Sequence, residues 1–176
     1  PGIIVGNIEL GRKTEKEVRD LFAKKNESIG NTQFSFSQSS DAATISAHDL
    51  KFGYDEDLIA KQAISLGRSD NFLSNISIVF QAYFDGLNLP PAYHYSEEIL
   101  NKTLTPFIER VNKEPVDALF NFQNGKVLAF KPSEEGREID VEKVKKDLVS
   151  QFEKILLKLQ PQKIIIYAKT NTPQML

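Results

Sequence analysis

The stretch KVLAFKPSEEGREIDVEKV (126–144) decides the fold class, because it joins a strand pattern to a helix pattern within a few residues. KVLAFK alternates apolar and polar side chains, as a strand with one buried face does. From Val141 onward, apolar residues recur at the three- and four-residue spacing of an amphipathic helix, and Asp140 is placed to cap that helix. PSEEGREID (132–140) is therefore either a ligand-binding turn or the connection between a hairpin and a helix.

The same succession of patterns occurs earlier in the chain. QFSFSQ (33–38) and ATISAH (43–48) form a predicted hairpin, and HDLKFGYDEDL (48–58) leads from it to a helix that Asp55 or Asp57 can cap. A turn that recurs at the same structural place is typically a structural connection and not a ligand-binding turn. The repetition predicts an α+β fold of mixed helices and antiparallel hairpins, with two related β-α-β-β-α halves packed as one domain.

The two halves are expected at about residues 1–86 and 87–170, with 171–176 as a linker to a further domain. The chain begins at Pro1, and its single methionine is Met175. We therefore interpret it as a piece of a longer protein.

The other patterns of the first half predict one strand over 3–10, a helix that follows Thr14, and a turn over 26–31. Thr14 and Glu17 have the spacing of a capping box, in which each residue satisfies a backbone N–H of the other. The apolar run over 70–86 predicts a further, mostly buried helix.

In the second half, Ser96 is expected to cap a helix that contains Pro106. Because proline inside a helix costs about 3 kcal/mol, we expect a kink or a restart there. Asn124-Gly125 favours a hairpin turn. A final strand is predicted over 163–169, and the residues after it, 170–176, have the composition of a linker.

The composition excludes several classes of function. A net charge of −2 over 176 residues argues against a broad electrostatic grip on nucleic acid or on an anionic membrane. The absence of cysteine excludes a disulfide framework, a thiolate nucleophile and a cysteine zinc site. With only His48 and His94 as histidines, the sequence predicts no metal site and no cofactor.

The sequence also has no motif of a known catalytic type. It contains no nucleophile elbow, phosphate-binding loop or dinucleotide-binding fingerprint. The acidic clusters 55–57 and 134–135 are interpreted as helix caps and solvated faces. A glycosidase would need a defined pair of carboxylates, and the sequence offers no means of choosing one. We therefore predict a non-catalytic chain.

Four residues are candidates for binding a glycan or a peptide. Tyr93 and Tyr95 are expected on the same side of an extended segment, where aromatic rings could stack on sugars. Arg68 and Arg137 each follow a glycine near a helix boundary and could pair with carboxylates. The alternative for the tyrosines is a packed strand. The favoured alternative for Arg137 is a structural clamp on nearby carbonyls or glutamates, which would make 132–140 a connection.

The opening PGIIVGNIELGRKTEKEV (1–18) resembles the start of the peptidoglycan-binding domain family found in VanW-like proteins and ahead of some bacterial L,D-transpeptidase catalytic domains. The resemblance continues through HDLKFGYD, AISLGR, PVDALFNFQNGKV and EEGREID, and it departs from the family pattern over 69–90. The positions at the start that carry it are Pro1, Gly2, Val5, Gly6, Ile8, Leu10, Thr14 and Glu17.

The resemblance implies an extracytoplasmic module of the bacterial cell envelope, in a parent protein that is membrane-anchored. It implies peptidoglycan and an adjacent domain of the same chain as partners, with no catalysis, no nucleic acid and no membrane insertion by this module. The alternative function is a structural spacer or protein-interaction domain without direct glycan binding. A hydrolase remains a third reading.

Overall fold

The computed structural model describes residues 3–65, 87–123, 126–158 and 162–171, and it confirms the α+β fold. The described helices are α1 (Glu15–Ile29), α2 (Glu56–Ser65), α3 (Glu97–Val111) and α4 (Val141–Lys158). The strands are β1 (Ile3–Val5), β2 (Ile8–Glu9), β3 (Gln33–Gln38), β4 (Asp41–Ser46), β5 (Gly53–Tyr54), β6 (Leu87–Leu89), β7 (Tyr93–His94), β8 (Leu119–Gln123), β9 (Lys126–Lys131), β10 (Glu138–Ile139), β11 (Lys163–Tyr167) and β12 (Thr170–Asn171).

The strands form several small sheets. The predicted hairpins β3–β4 and β8–β9 are both present and antiparallel. The last long strand, β11, pairs in parallel with β3, from Lys163 opposite Gln33 to Tyr167 opposite Ser37. This pairing joins a strand of the first half to a strand of the second half in one sheet with the order β11-β3-β4. The other sheets are β2-β1-β6, β5-β7 and β10-β12.

The same order of elements occurs twice, as strand, strand, helix, hairpin, short strand and helix. The short strand before the second helix is held in the same way each time. The Tyr54 N–H donates to Oδ1 of Asn26 at 2.7 Å, and the Ile139 N–H donates to Oδ1 of Asn112 at 2.8 Å. Each asparagine lies at the C-terminal end of a helix, α1 or α3. We interpret this repetition as a duplicated unit.

Local signals place the starts of the helices. The capping box of Thr14 and Glu17 is confirmed. Ser96 accepts the Ile99 N–H at the start of α3. The two predicted aspartate caps are also confirmed, because Asp55 accepts the Leu58 N–H and Asp140 accepts the Lys143 N–H, both at 2.9 Å.

One aromatic cluster connects the two halves. Phe152 of α4 is fully buried, and its ring stacks on Phe52 at a centroid distance of 4.1 Å. The ring of Phe34 in β3 lies 5.8 Å away, and the rings of Tyr93 and Tyr95 lie 5.5 and 5.1 Å away. A helix of the second half therefore completes the core of the first.

Three local predictions were wrong. Residues 3–10 form a hairpin of β1 and β2 and not one strand, because Gly6 adopts a φ of +57° that lets the chain reverse. The turn expected over 26–31 begins later, since α1 continues to Ile29, whose side chain is fully buried. Thr170 and Asn171 are not linker, because they pair with β10.

Pro106 does not cause a restart of its helix. α3 runs from Glu97 to Val111 with the proline inside it, and the proline side is exposed. Leu104 before it and Phe107 after it are both buried. Burial of a large apolar side chain contributes about 1.5–3 kcal/mol. The burial of Leu104 and Phe107 therefore offsets the backbone hydrogen bond that Pro106 cannot donate.

Some predictions concern residues outside the described ranges. These are the helix over 70–86, the Asn124-Gly125 turn, and residues 172–176 at the end of the predicted linker.

The Phe152→Ala variant tests whether the aromatic cluster holds the two halves together. Loss of a fully buried phenylalanine side chain should lower the free energy of unfolding by about 3–5 kcal/mol. Urea denaturation followed by circular dichroism measures this. Leu157→Ala is a control in the same helix, because its side chain is 46% exposed. It should cost less than about 1 kcal/mol, and equal losses for the two variants would contradict the central role of Phe152.

The Tyr54→Phe variant tests a hydrogen bond to the C-terminal end of α4. The Tyr54 hydroxyl donates to the Leu156 carbonyl at 2.5 Å, and that carbonyl is among the last four of the helix, which lack partners within it. Burial raises the pKa of Tyr54, so the hydroxyl keeps its proton. The variant should lose about 1–3 kcal/mol of stability. Tyr95→Phe is the control, because the Tyr95 hydroxyl contacts the exposed Glu97 at 3.3 Å. This variant should lose clearly less stability in the same urea titration.

Candidate functional site

The predicted site residue Arg137 lies in the junction 132–140, and its backbone and side chain are both engaged there. Its N–H donates to the Lys113 carbonyl at 2.8 Å, and the Lys113 N–H donates back at 2.9 Å. Its Nε donates to the Val111 carbonyl at 2.6 Å, at the C-terminal end of α3. This is the contact that the clamp alternative requires. Among the described residues, no acceptor contacts its two terminal nitrogens.

Gly136 is required at this junction by close packing. A Cβ at this position would lie 2.7 Å from Cδ and 2.8 Å from N of Pro115, which is closer than real Cβ atoms approach. Its φ is outside the left-handed region, unlike that of Gly6. The glycine therefore lets 132–140 pack against the segment that follows α3.

A groove of about 450 Å³ opens beside Arg137. We call it the Arg137 groove; it is lined by Asn112, Lys113, Glu114, Pro115, Arg137 and Glu138. Lys113 Nζ also pairs with the carboxylate of Glu134, and the hydrogen bond and charge of Lys113 lower the pKa of Glu134. The terminal nitrogens of Arg137 can donate two parallel hydrogen bonds to a ligand carboxylate.

The two candidate tyrosines lie in a different environment. Both rings contact Phe152, which confirms that they point to the same side of their segment. Both are partly buried, and the burial of Tyr95 and then its contact with Glu97 raise its pKa. Neither tyrosine is among the described residues that line the Arg137 groove.

Arg68, the fourth candidate, lies outside the described residues. The structure therefore brings Tyr93 and Tyr95 together on Phe152 and places Arg137 in a separate groove.

A second groove, of about 490 Å³, is present that the sequence did not predict. We call it the histidine groove; its polar side chains are Asn26, Glu27, His48, Lys51, Glu56 and His94. The two histidines are far apart in the sequence, and only the pairing of β5 with β7 brings them to one place. One signal pointed to His94: it lies between Tyr93 and Tyr95, so strand alternation directs it away from their buried side.

The floor of the histidine groove is closely packed. Phe52 and Gly53 line it, and a Cβ on Gly53 would lie 2.6 Å from Oδ1 of Asn26. Asn26 is already engaged, because its Nδ2 donates to the Tyr54 carbonyl and to Glu56. Lys51 at the rim has a φ of +56°, a backbone conformation that residues other than glycine adopt at a cost in free energy.

Within the described ranges, no three histidine, aspartate or glutamate side chains are close enough together to hold a metal ion. No helix in those ranges combines the length and the apolar character that a membrane span needs.

Comparison with known families decides what class of module these grooves belong to. Residues 43–156, more than half of the chain, match the family described as "Putative peptidoglycan binding domain". The chain belongs to this family. No curated protein and no solved structure matches it.

The matched region of this peptidoglycan-binding domain begins within β4 and ends in the last turn of α4. It includes all four candidate residues and both histidines. Family membership places the chain among cell-wall binding modules.

A Gly136→Ala variant of the peptidoglycan-binding domain tests the packing reason for the junction glycine. The added methyl should overlap Pro115 and lower the free energy of unfolding by about 1–3 kcal/mol. Gly30→Ala is the matched control, because its Cβ would meet nothing described closer than 3.4 Å and its φ is −55°. That change should be neutral or stabilising by up to about 1 kcal/mol. Equal stability of the two variants in urea would show that the junction can move.

Proposed function

We propose that the protein is a non-catalytic, extracytoplasmic module that binds peptidoglycan and positions it for an attached domain of the same chain. The family match carries this proposal. The attached domain is proposed to be of the VanW-like or L,D-transpeptidase type, in a membrane-anchored parent protein. The module contributes affinity and orientation, and the chemistry belongs to its neighbour.

The Arg137 groove is the proposed contact surface, because it combines a concave shape with the two terminal nitrogens of Arg137, which no acceptor contacts among the residues that the structure describes. The stem peptides of peptidoglycan carry carboxylates, which pair well with a planar guanidinium. Arg137 is held by its Nε bond to the Val111 carbonyl, so its terminal nitrogens lose little freedom on binding. The volume of the groove is within the range of sites that hold small ligands.

The other three candidate residues have weaker support. The rings of Tyr93 and Tyr95 already pack on Phe152, so stacking on a sugar would use only their exposed edges. We retain them, with Arg68, as proposed secondary contacts.

A second function, a spacer without direct glycan binding, is favoured by one observation. Arg137, Tyr93 and Tyr95 each make a contact that stabilises the fold. In this alternative, the module only sets the distance and orientation of its neighbour.

Co-sedimentation of the purified chain with intact peptidoglycan, at low and moderate salt, separates the two functions. The wild type should bind saturably, and Arg137→Ala should weaken binding at least about tenfold, because it removes hydrogen bonds to a charged group that contribute about 1.5–3 kcal/mol each. Arg110→Ala is the matched control. Its guanidinium donates to the Ala42 carbonyl and lies 3.5 Å from Asp41, and it does not line the Arg137 groove.

Circular dichroism must show that each variant is folded. If Arg137→Ala is not folded, Arg137→Gln is used in its place, because the glutamine amide can still donate to the Val111 carbonyl. Saturable binding that Arg137 variants lose and Arg110→Ala keeps supports the binding function. No sedimentation of the folded wild type would overturn the binding function and favour the spacer.

A further inference from the structure

The Arg137 groove and the histidine groove occupy equivalent positions in the two repeated units. In each unit, an asparagine at a helix end accepts the N–H of a short strand, and that asparagine lines the groove. The residue just before that N–H, Gly53 or Glu138, also lines it.

The same equivalence continues on the far side of each short strand. Asp55, which follows β5, donates its N–H to the Ala92 carbonyl just before β7, at 3.0 Å. Asp140, which follows β10, donates its N–H to the Lys169 carbonyl just before β12, at 2.9 Å. β5 pairs with β7 and β10 pairs with β12, both antiparallel. Each groove is thus built on the same set of backbone contacts.

The two grooves also share their chemistry. In the histidine groove, the helices α1 and α2 contribute the carboxylates Glu27 and Glu56, whereas His48, Lys51 and His94 come from the turn after β4 and from β7.

The Arg137 groove has the carboxylates Glu114 and Glu138 beside Lys113 and Arg137. Each groove therefore offers two carboxylates and at least two basic groups. A ligand that pairs with both the carboxylates and the basic groups of a groove carries an ammonium group and a carboxylate on one short chain.

We propose that the histidine groove is a second binding site, equivalent to the Arg137 groove, and that each takes one short peptide bearing both a carboxylate and an ammonium group. This inference rests on the proposed function, because peptidoglycan presents such stem peptides at regular intervals along a glycan. The domain then holds the polymer at two points.

Two-point attachment has a consequence that single-site binding lacks. Once one groove is occupied, the second binding event is intramolecular, so affinity for the polymer exceeds affinity for one repeat by a factor of about 10²–10⁴ when the spacing fits. A ligand with a single stem peptide cannot use this advantage.

The strained rim residue makes a clean variant available. Lys51→Gly removes the ammonium group, and glycine adopts a φ of +56° without strain, so the variant should fold at least as well as the wild type. Arg12→Gly is the matched control. Arg12 also has a positive φ, of 63°, and carries a positive charge, but it does not line the histidine groove.

The experiment uses two probes, intact peptidoglycan and the single disaccharide-peptide repeat that muramidase releases from it. With the single repeat, calorimetry should give two sites per wild-type chain and one per Lys51→Gly chain. Backbone amide signals of residues 48–53 and of 112–114 should both move in the wild type. With intact peptidoglycan, Lys51→Gly should weaken binding at least about tenfold, and Arg12→Gly should match the wild type.

The outcomes separate this inference from the function on which it rests. Wild type that binds intact peptidoglycan, but takes one repeat per chain without movement of the 48–53 signals, overturns the second site and leaves the binding function standing. Equal polymer binding by Lys51→Gly and Arg12→Gly overturns the second site as well. Wild type that does not bind intact peptidoglycan overturns both.

Discussion

The packing of Phe152 is the constraint on which the rest of the structure depends. Its ring is fully buried in α4, near the end of the chain, yet the rings around it come from β3, β5 and β7 and their flanks. The first half lacks a complete core until α4 arrives. The stacked partner Phe52 also forms part of the floor of the histidine groove, so the core contact and the shape of that groove are set together.

The C-terminal ends of the helices organise both grooves. Carbonyls in the last turn of a helix have no partners within it. Here two side chains supply partners, the buried Tyr54 for α4 and the exposed Arg137 for α3. Asn26 and Asn112 then tie the ends of α1 and α3 to the short strands. Polar groups concentrated for structural reasons also line concave surfaces, which is why the proposed binding role of Arg137 falls on a residue that the fold already uses.

This overlap suits a module that acts on a polymer. A binding surface made from residues that the fold already holds in place loses little conformational entropy when a ligand arrives. A repeated unit provides that surface twice without any new architecture. Under the proposed two-point attachment, weak contacts at each copy would be sufficient, since peptidoglycan itself repeats.

The sequence by itself determined the features that depend on neighbouring residues. The α+β class, both hairpins, and the caps at Thr14, Ser96, Asp55 and Asp140 all follow from side chains that act within a few residues of the backbone they satisfy. The sequence predicted that Gly136 permits the turn of the junction, but its φ is not positive, and its close contact with Pro115 comes from the tertiary structure.

Only the tertiary structure decided the features that depend on distant residues. The parallel pairing of β11 with β3, the continuation of α3 through Pro106 and the meeting of His48 with His94 all follow from how the core closes. The same is true of the contacts of Tyr93 and Tyr95 with Phe152, which lies much later in the chain. Local propensity carries no information about which distant surface a segment will meet, because burial against that surface supplies the deciding free energy.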